Sequence, residues 1–202
     1  MLSGAWCVSE VSFTLTSMGH IIFDSATTLN GWIADEHNSL DWLFAVDGGD
    51  QPEAGLFPAH ARVLVEGSTT YEWVLEQENL LAQPERWQAL YGDKPTFVFT
   101  TRDPPIPEGA DVRLVSGAVP EVLPAIREAA AGGDIWVVGG GELAGAFFDA
   151  GALDRVALSI APVALTGGAP VFPRRVESDR LRLLSADAYG QFARLVYEVL
   201  PG

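Results

Sequence analysis

Hydrophobic and polar positions follow two different periods along this chain. Short apolar runs rich in β-branched and aromatic residues occur at 20–28 (HIIFDSATT), 62–67 (RVLVEG), 96–102 (TFVFTTR), 111–115 (DVRLV) and 134–138 (DIWVV). Runs of this length and composition predict buried strands. Between them the period lengthens. STTYEWVLEQENL (68–80) carries Tyr71, Val74, Leu75 and Glu78 at helical spacing, behind the capping-box pattern Thr69-x-x-Glu72. PEVLPAIREAAAGG (120–133) predicts a second helix, with Pro120 and Pro124 near its start and Gly132-Gly133 at its end. GELAGAFFDAG predicts a third, stopped at Gly151, and PEAGLFPAHA (52–61) a short one. LNGWIADEHNSLDW reads as a long loop with turn residues Asn30-Gly31 and Asn38-Ser39. Three prolines make DPPIPEG an irregular connection.

Beyond residue 151 the character changes. DRVALSIAPVAL, APVFP, RLRLLSADAY and FARLVYEVL are strand-like, separated by turns at Thr166-Gly167-Gly168 and Gly190. Strand–helix alternation followed by strands alone predicts an α/β protein. Its central sheet is mostly parallel, with helices on both faces and a C-terminal antiparallel hairpin. With no repeat or linker in view, residues 19–202 read as a single domain. Residues 1–18 read either as an N-terminal extension ahead of a start at Met18 or, through VSFTLT, as an edge strand.

Composition narrows the function classes. Of 202 residues, 48% are hydrophobic and 19% charged, as in an ordinary globular chain. No apolar run reaches the ~18 residues of a membrane span. The N-terminus lacks the basic start of a secretory signal, so a cytoplasmic location is expected. A formal net charge of −15 disfavours nucleic acid and anionic lipid as partners. Arg174, Arg175, Arg180 and Arg182 gather late but lie among acids, as on a solvated face. Cys7 is the only cysteine, and His20, His37 and His60 are far apart, so no metal site is expected.

Three predicted strands end in turns suited to phosphate. They are Gly67-Ser68-Thr69-Thr70, Thr100-Thr101-Arg102 and Gly139-Gly140-Gly141-Glu142. Ligands of open parallel sheets bind at the carboxyl ends of the strands. Helix-start N–H groups and the helix dipole favour an anion there, and glycine lets it approach. Each turn alone is equally a structural feature; three on one edge point to a dinucleotide or a phosphorylated ligand. Gly139-x-Gly141-x-x-Ala144 matches a Rossmann fingerprint. However, the acidic residue expected about 20 positions on is missing, because that region reads Ser159-Ile160-Ala161-Pro162. The pattern also comes late in the chain. A P-loop fails for want of Gly-Lys-Ser/Thr.

The whole set, SATTLNGWIADEHNSLDWL, VLVEGSTTYEWV, FVFTTR, WVVGGGELAGAFFDAGALDRVALSIAPVALTGGAPVFP and the closing hairpin, resembles the dihydrofolate reductase-like fold. In particular it resembles the family of the C-terminal reductase domain of riboflavin biosynthesis. The likeness runs from about residue 20 to 200. It implies an NADPH-dependent reductase acting on a small pterin- or pyrimidine-like heterocycle, with NADH or a flavin as alternative ligands. By position, Gly67, Ser68, Thr69 and Thr70 would meet the cofactor phosphates. Thr101 and Arg102 would lie near the adenosine ribose and its 2′-phosphate. Gly139, Gly140, Gly141, Glu142 and Leu143 would lie under the pyrophosphate and nicotinamide. Ala26, Ile33 and Ala34 would flank the nicotinamide, and Trp42 and Ser159 would line the substrate side.

The chain also departs from the family. Ser68 stands where members usually carry arginine, which removes one phosphate-binding charge and leaves NADPH and NADH both open; Arg102 is the side chain that could compensate. The Asp-Asn-Pro and Lys-Asp-Gly segments of the riboflavin enzymes are absent, so the riboflavin precursor is not the favoured substrate. Asp47, and next Asp41, are the nearest matches to a proton-donating acid; a loop acid beside Gly48-Gly49 and a helix cap are the competing roles. A non-catalytic nucleotide- or flavin-binding module of the same fold is the alternative function. A homodimer through the C-terminal strands is compatible with the resemblance.

Overall fold

The computed structural model describes residues 19–46, 58 and 60–202. The strands are β1 (Ile21–Thr28), β2 (Trp32–Ala34), β3 (Ala61–Gly67), β4 (Thr96–Phe99), β5 (Val112–Val115), β6 (Asp134–Gly139), β7 (Arg155–Ala161), β8 (Ala169–Pro170), β9 (Leu181–Tyr189) and β10 (Phe192–Val199). The α-helices are α1 (Asp41–Phe44), α2 (Ser68–Gln77), α3 (Glu85–Tyr91), α4 (Val119–Ala130) and α5 (Gly141–Asp149). Eight strands form one sheet in the order β5-β4-β3-β6-β1-β7-β10-β9, while β2 and β8 pair separately. The first six strands of that order run parallel. β10 joins β7 antiparallel, and β9 closes a hairpin on β10. This is the expected α/β architecture, and its helices do lie on both faces.

The period of two decides which helix each face receives. Along β3, Val63 and Val65 join Ile21, Phe23, Phe97, Ile135 and Val137 in a core closed by Val122 and Ile126 of α4 and Phe147 of α5. Leu64 points the other way and joins Val98 with Tyr71 and Leu75 of α2 and Trp87 and Tyr91 of α3. Strands buried on both faces read as continuous apolar runs, and that is why they were visible in the sequence. α3 was not anticipated. Its seven residues offer only Trp87 and Tyr91, one turn apart, to the core, and their rings stand 4.6 Å apart.

Two expectations are corrected. The capping box on Thr69 is not formed: the N-cap is Gly67, two residues earlier, and Glu72 pairs with Arg102 instead. The loop over 29–42 is not wholly irregular, since Trp32–Ala34 forms β2 and Asp41–Phe44 a single helical turn. The expectations for residues 1–18, for most of the helix over 52–61, and for Asp47 fall outside the described residues. The late arginines form no basic patch. Arg174 pairs with Glu142 and Asp149, Arg175 with Glu177 and Arg182 with Glu198, while Arg180 donates to the Leu200 carbonyl.

Candidate functional site

The strand order places the three phosphate-friendly turns side by side. β4, β3, β6 and β1 are consecutive neighbours and parallel, so Thr100–Arg102, Gly67–Thr70, Gly139–Leu143 and Ala26–Thr28 share one sheet edge. Two helices start on adjacent strands there, α2 behind Gly67 and α5 behind Gly140, and both N-caps are extended glycines. First-turn N–H groups have no partner within their own helix, so each start presents donors toward this edge.

Close packing favours glycine at Gly139, whereas a Cβ at Gly67 or Gly140 would make only ordinary contacts. A Cβ on Gly139 would stand 3.2 Å from the Thr70 hydroxyl, and one on Gly67 would stand 3.7 Å from the Gly139 carbonyl. Ile33 reaches over the same spot, 3.7 Å from where a Gly140 Cβ would be. The Gly139–Gly140 peptide is cis. Gly141 has a different reason. A Cβ there would lie 2.3 Å from the Pro170 carbonyl and 2.5 Å from that of Val171, so this glycine admits the β8 segment. Leu143 turns its side chain into the α4–α5 core, leaving only its backbone on the edge.

The first loop is fastened over this edge from both sides. Trp32 N–H donates to the Thr28 hydroxyl at 3.0 Å, and the Thr27 hydroxyl donates to the Trp32 carbonyl at 3.1 Å. Asn30 donates to the Leu165 carbonyl and accepts from the Leu165 N–H, while Val171 N–H donates to the Gly31 carbonyl. Asp35 closes the following turn by accepting from the His37 and Ser39 N–H groups at 2.8 Å, which lowers its carboxyl below the ordinary value. These bonds set Ile33 and buried Ala34 beside the glycine turn.

At the far end of the edge, Arg102 lies on the start of α2. Its guanidinium donates to the Ser68 hydroxyl at 3.1 Å and to Glu72 at 2.9 Å. The serine that stands where an arginine was expected therefore has an arginine delivered to it by β4. Thr101 is exposed beside it.

Where β1, β7 and β10 lie side by side, the structure adds residues that the sequence did not single out. Ser159 of β7 pairs across the sheet with Ala26 of β1 and with Arg194 of β10. The Arg194 guanidinium grips both oxygens of Asp24, at 2.6 and 2.5 Å, and donates from Nη1 to the Ser159 hydroxyl at 3.1 Å. All three are buried. Burial pushes the Asp24 carboxyl up, against the hydrogen bonds and charge of Arg194 that hold it down. A lone acid in HIIFDSATT and a lone arginine in FARLVYEVL, each inside an apolar strand, were the available signal for such a pair. Asp41 and Trp42 lie on α1, Asp41 exposed and Trp42 buried with its indole N–H unpartnered among the described residues.

A mostly parallel sheet with an antiparallel C-terminal pair and a ligand edge of this construction defines the class: the fold is that of the dihydrofolate reductase-like reductases. Within that class the chain belongs to the RibD C-terminal domain family, whose model matches residues 19–193. It is 29% identical over 173 residues to the protein YwjB of Bacillus subtilis (strain 168), whose function is uncharacterized, covering 85% of this chain and 93% of that one. A protein of Shewanella sp. PV-4 assigned to riboflavin biosynthesis superposes with a TM-score of 0.72 at 25% identity, over 91% of this chain and 100% of that one. Dihydrofolate reductase from Enterococcus faecalis, in complex with NADP(H), superposes with a TM-score of 0.52 at 16% identity, over 90% of this chain and 97% of that one.

Proposed function

We propose that the chain is an NADPH-dependent reductase that delivers hydride to a small pterin- or pyrimidine-like heterocycle. The observation that carries this reading is the meeting of two helix starts, at Gly67 and Gly140, with Arg102 on one run of parallel strand ends. A dinucleotide has two linked phosphates and a further charged group at one end, and this edge supplies donors for each. Ser68, Thr69 and Thr70, together with Gly140, Gly141 and Glu142, would hold the phosphates through backbone N–H groups. Thr101 and Arg102 would hold the 2′-phosphate, as a planar guanidinium does well. Gly139, Ile33, Ala34 and Ala26 would bracket the nicotinamide, which supplies the hydride. Ser159 and Trp42 would bound the substrate.

The heterocycle also takes up a proton. Both oxygens of Asp24 accept from Arg194, so this acid is engaged in orienting the guanidinium. Asp47 and Asp41 are the acids assigned to the proton transfer. The reading is tested by melting the purified chain with NADPH and with NADH at millimolar concentration, then following loss of the reduced-nicotinamide absorbance with pterin and pyrimidine acceptors. A nucleotide-induced rise in Tm with oxidation by at least one acceptor is expected. Absence of any rise with either nucleotide overturns the reading, and a rise without oxidation by any acceptor leaves a nucleotide-binding module of the same fold.

A further inference from the structure

Arg194 has more donors than its two neighbours use. A guanidinium carries five N–H groups in a fixed plane. Asp24 takes the end of the fork, one N–H each from Nη1 and Nη2, and Ser159 takes the other Nη1 hydrogen. That leaves Nε–H and the second Nη2–H, which lie parallel along one side of the plane. Neither has a partner among the described residues, and Nε is not among their sealed, unpartnered polar atoms. The site therefore holds a two-pronged donor, fixed in orientation by a buried carboxylate and separated from Ala26 by the one strand that carries Ser159.

We propose that Arg194 is the specificity residue for the heterocycle, reading a carbonyl oxygen and the adjacent unprotonated ring nitrogen with its free fork, while Asp24 and Ser159 position it. This rests on the reductase reading and narrows its substrate class to fused oxo-pyrimidines such as pterins. A guanidinium meets this same acceptor pair, an oxygen beside a ring nitrogen, on the major-groove edge of guanine. The charge balance favours a neutral edge over a carboxylate. Asp24 already neutralises Arg194, so an added anion gains little at this guanidinium.

The test compares two probes that differ in the group at C4 and in the N3 hydrogen that goes with it. 6,7-Dimethylpterin presents the acceptor pair; 2,4-diamino-6,7-dimethylpteridine replaces its carbonyl with an amino donor. Binding of each to the full chain is measured by calorimetry with NADPH saturating. The pterin is expected to bind about tenfold or more tightly than the diamino compound, since the latter places a donor against a donor. Arg194→Lys keeps the charge and loses the fork, and is expected to weaken the pterin about tenfold while NADPH affinity holds. Asp24→Asn is expected to shrink the ratio between the two probes, which a loss of stability alone leaves unchanged. Equal affinity for the two probes overturns the inference. So does wild-type pterin affinity in Arg194→Lys, or no pterin binding by a protein that binds NADPH. Should Arg194→Lys fail to fold, the probe ratio on the unaltered chain decides. A chain that binds no NADPH at all overturns the reductase reading instead.

Discussion

The guanidinium of Arg102 stands 3.1 Å from the hydroxyl of Ser68, 34 positions earlier in the chain. A parallel strand pair creates this contact: β3 and β4 end side by side, with Gly67 in register with Phe99. Glu72, one turn into α2, shares the same guanidinium at 2.9 Å.

Cofactor choice is expected to depend on this pair. Arg102→Ala should weaken NADPH by about tenfold and NADH by much less, because only the former brings a terminal phosphate to the guanidinium. Glu72→Gln should act oppositely and strengthen NADPH, since it removes the carboxylate with which a phosphate must compete. Calorimetric titration of both nucleotides checks this. Equal losses for both in Arg102→Ala would show that Arg102 does not read the 2′-phosphate.

Glu66 makes stability depend on pH. It is fully buried at the end of β3, with no hydrogen-bond partner for either oxygen among the described residues. Burial raises its carboxyl to about 7; the neighbouring Tyr91 phenol opposes this but does not reach bonding geometry. The native pKa lies above the unfolded value, so the unfolded chain releases this proton first. The stability tied to the proton is complete below pH ~4.5, declines as pH rises and is lost above about 7. Glu66→Gln should flatten that decline and, near pH 8, stabilise the chain by on the order of 2–3 kcal/mol. Urea denaturation of both proteins across the pH range would show this as a narrowing difference toward acid.

Gly141→Ala should damage both fold and site. The added methyl meets two backbone carbonyls, of Pro170 and Val171, which no side-chain rotation relieves. A loss of about 1–3 kcal/mol is expected. Shifting the start of α5 should also weaken NADPH in a folded variant. Urea midpoints and nucleotide titration together measure the two effects, and wild-type values for both would contradict the close packing.

The buried ion pair should respond very differently to one substitution and to two. Asp24→Ala leaves Arg194 charged and unpaired, at a cost of about 3–5 kcal/mol. Asp24→Leu with Arg194→Met replaces both charges by apolar groups of similar volume, and should be near neutral. Chemical denaturation of the three proteins reports the coupling. A double variant as unstable as the single one would mean that the pair contributes more than its own desolvation.

Much of the fold was legible because strands buried on both faces must be apolar throughout, and helices buried on one face must show a 3.6-residue period. HIIFDSATT, RVLVEG and DIWVV satisfied the first rule, and PEVLPAIREAAAGG the second. ERWQALY satisfied neither strongly, since only Trp87 and Tyr91 reach the core, and α3 was missed. The glycine turns were legible as local chemistry, but the reason for each glycine was not. Gly139 allows Thr70 to approach, whereas Gly141 makes room for a segment about 30 residues later. Ser159 is legible through the family resemblance, whereas the pairing of Asp24 with Arg194, 170 positions apart, leaves no local pattern.

The sequence by itself determined the class of fold, the order of its elements and the turns that suit a phosphate, because each depends on periods and residue types within a dozen positions. Tertiary structure decided which turns share an edge, that Arg102 meets Ser68, and that Asp24 and Ser159 hold Arg194 with two of its N–H groups unpartnered among the described residues. Those facts follow from the strand order β5-β4-β3-β6-β1-β7-β10-β9. That order pairs strands distant along the chain, and local hydrophobic pattern carries no record of it.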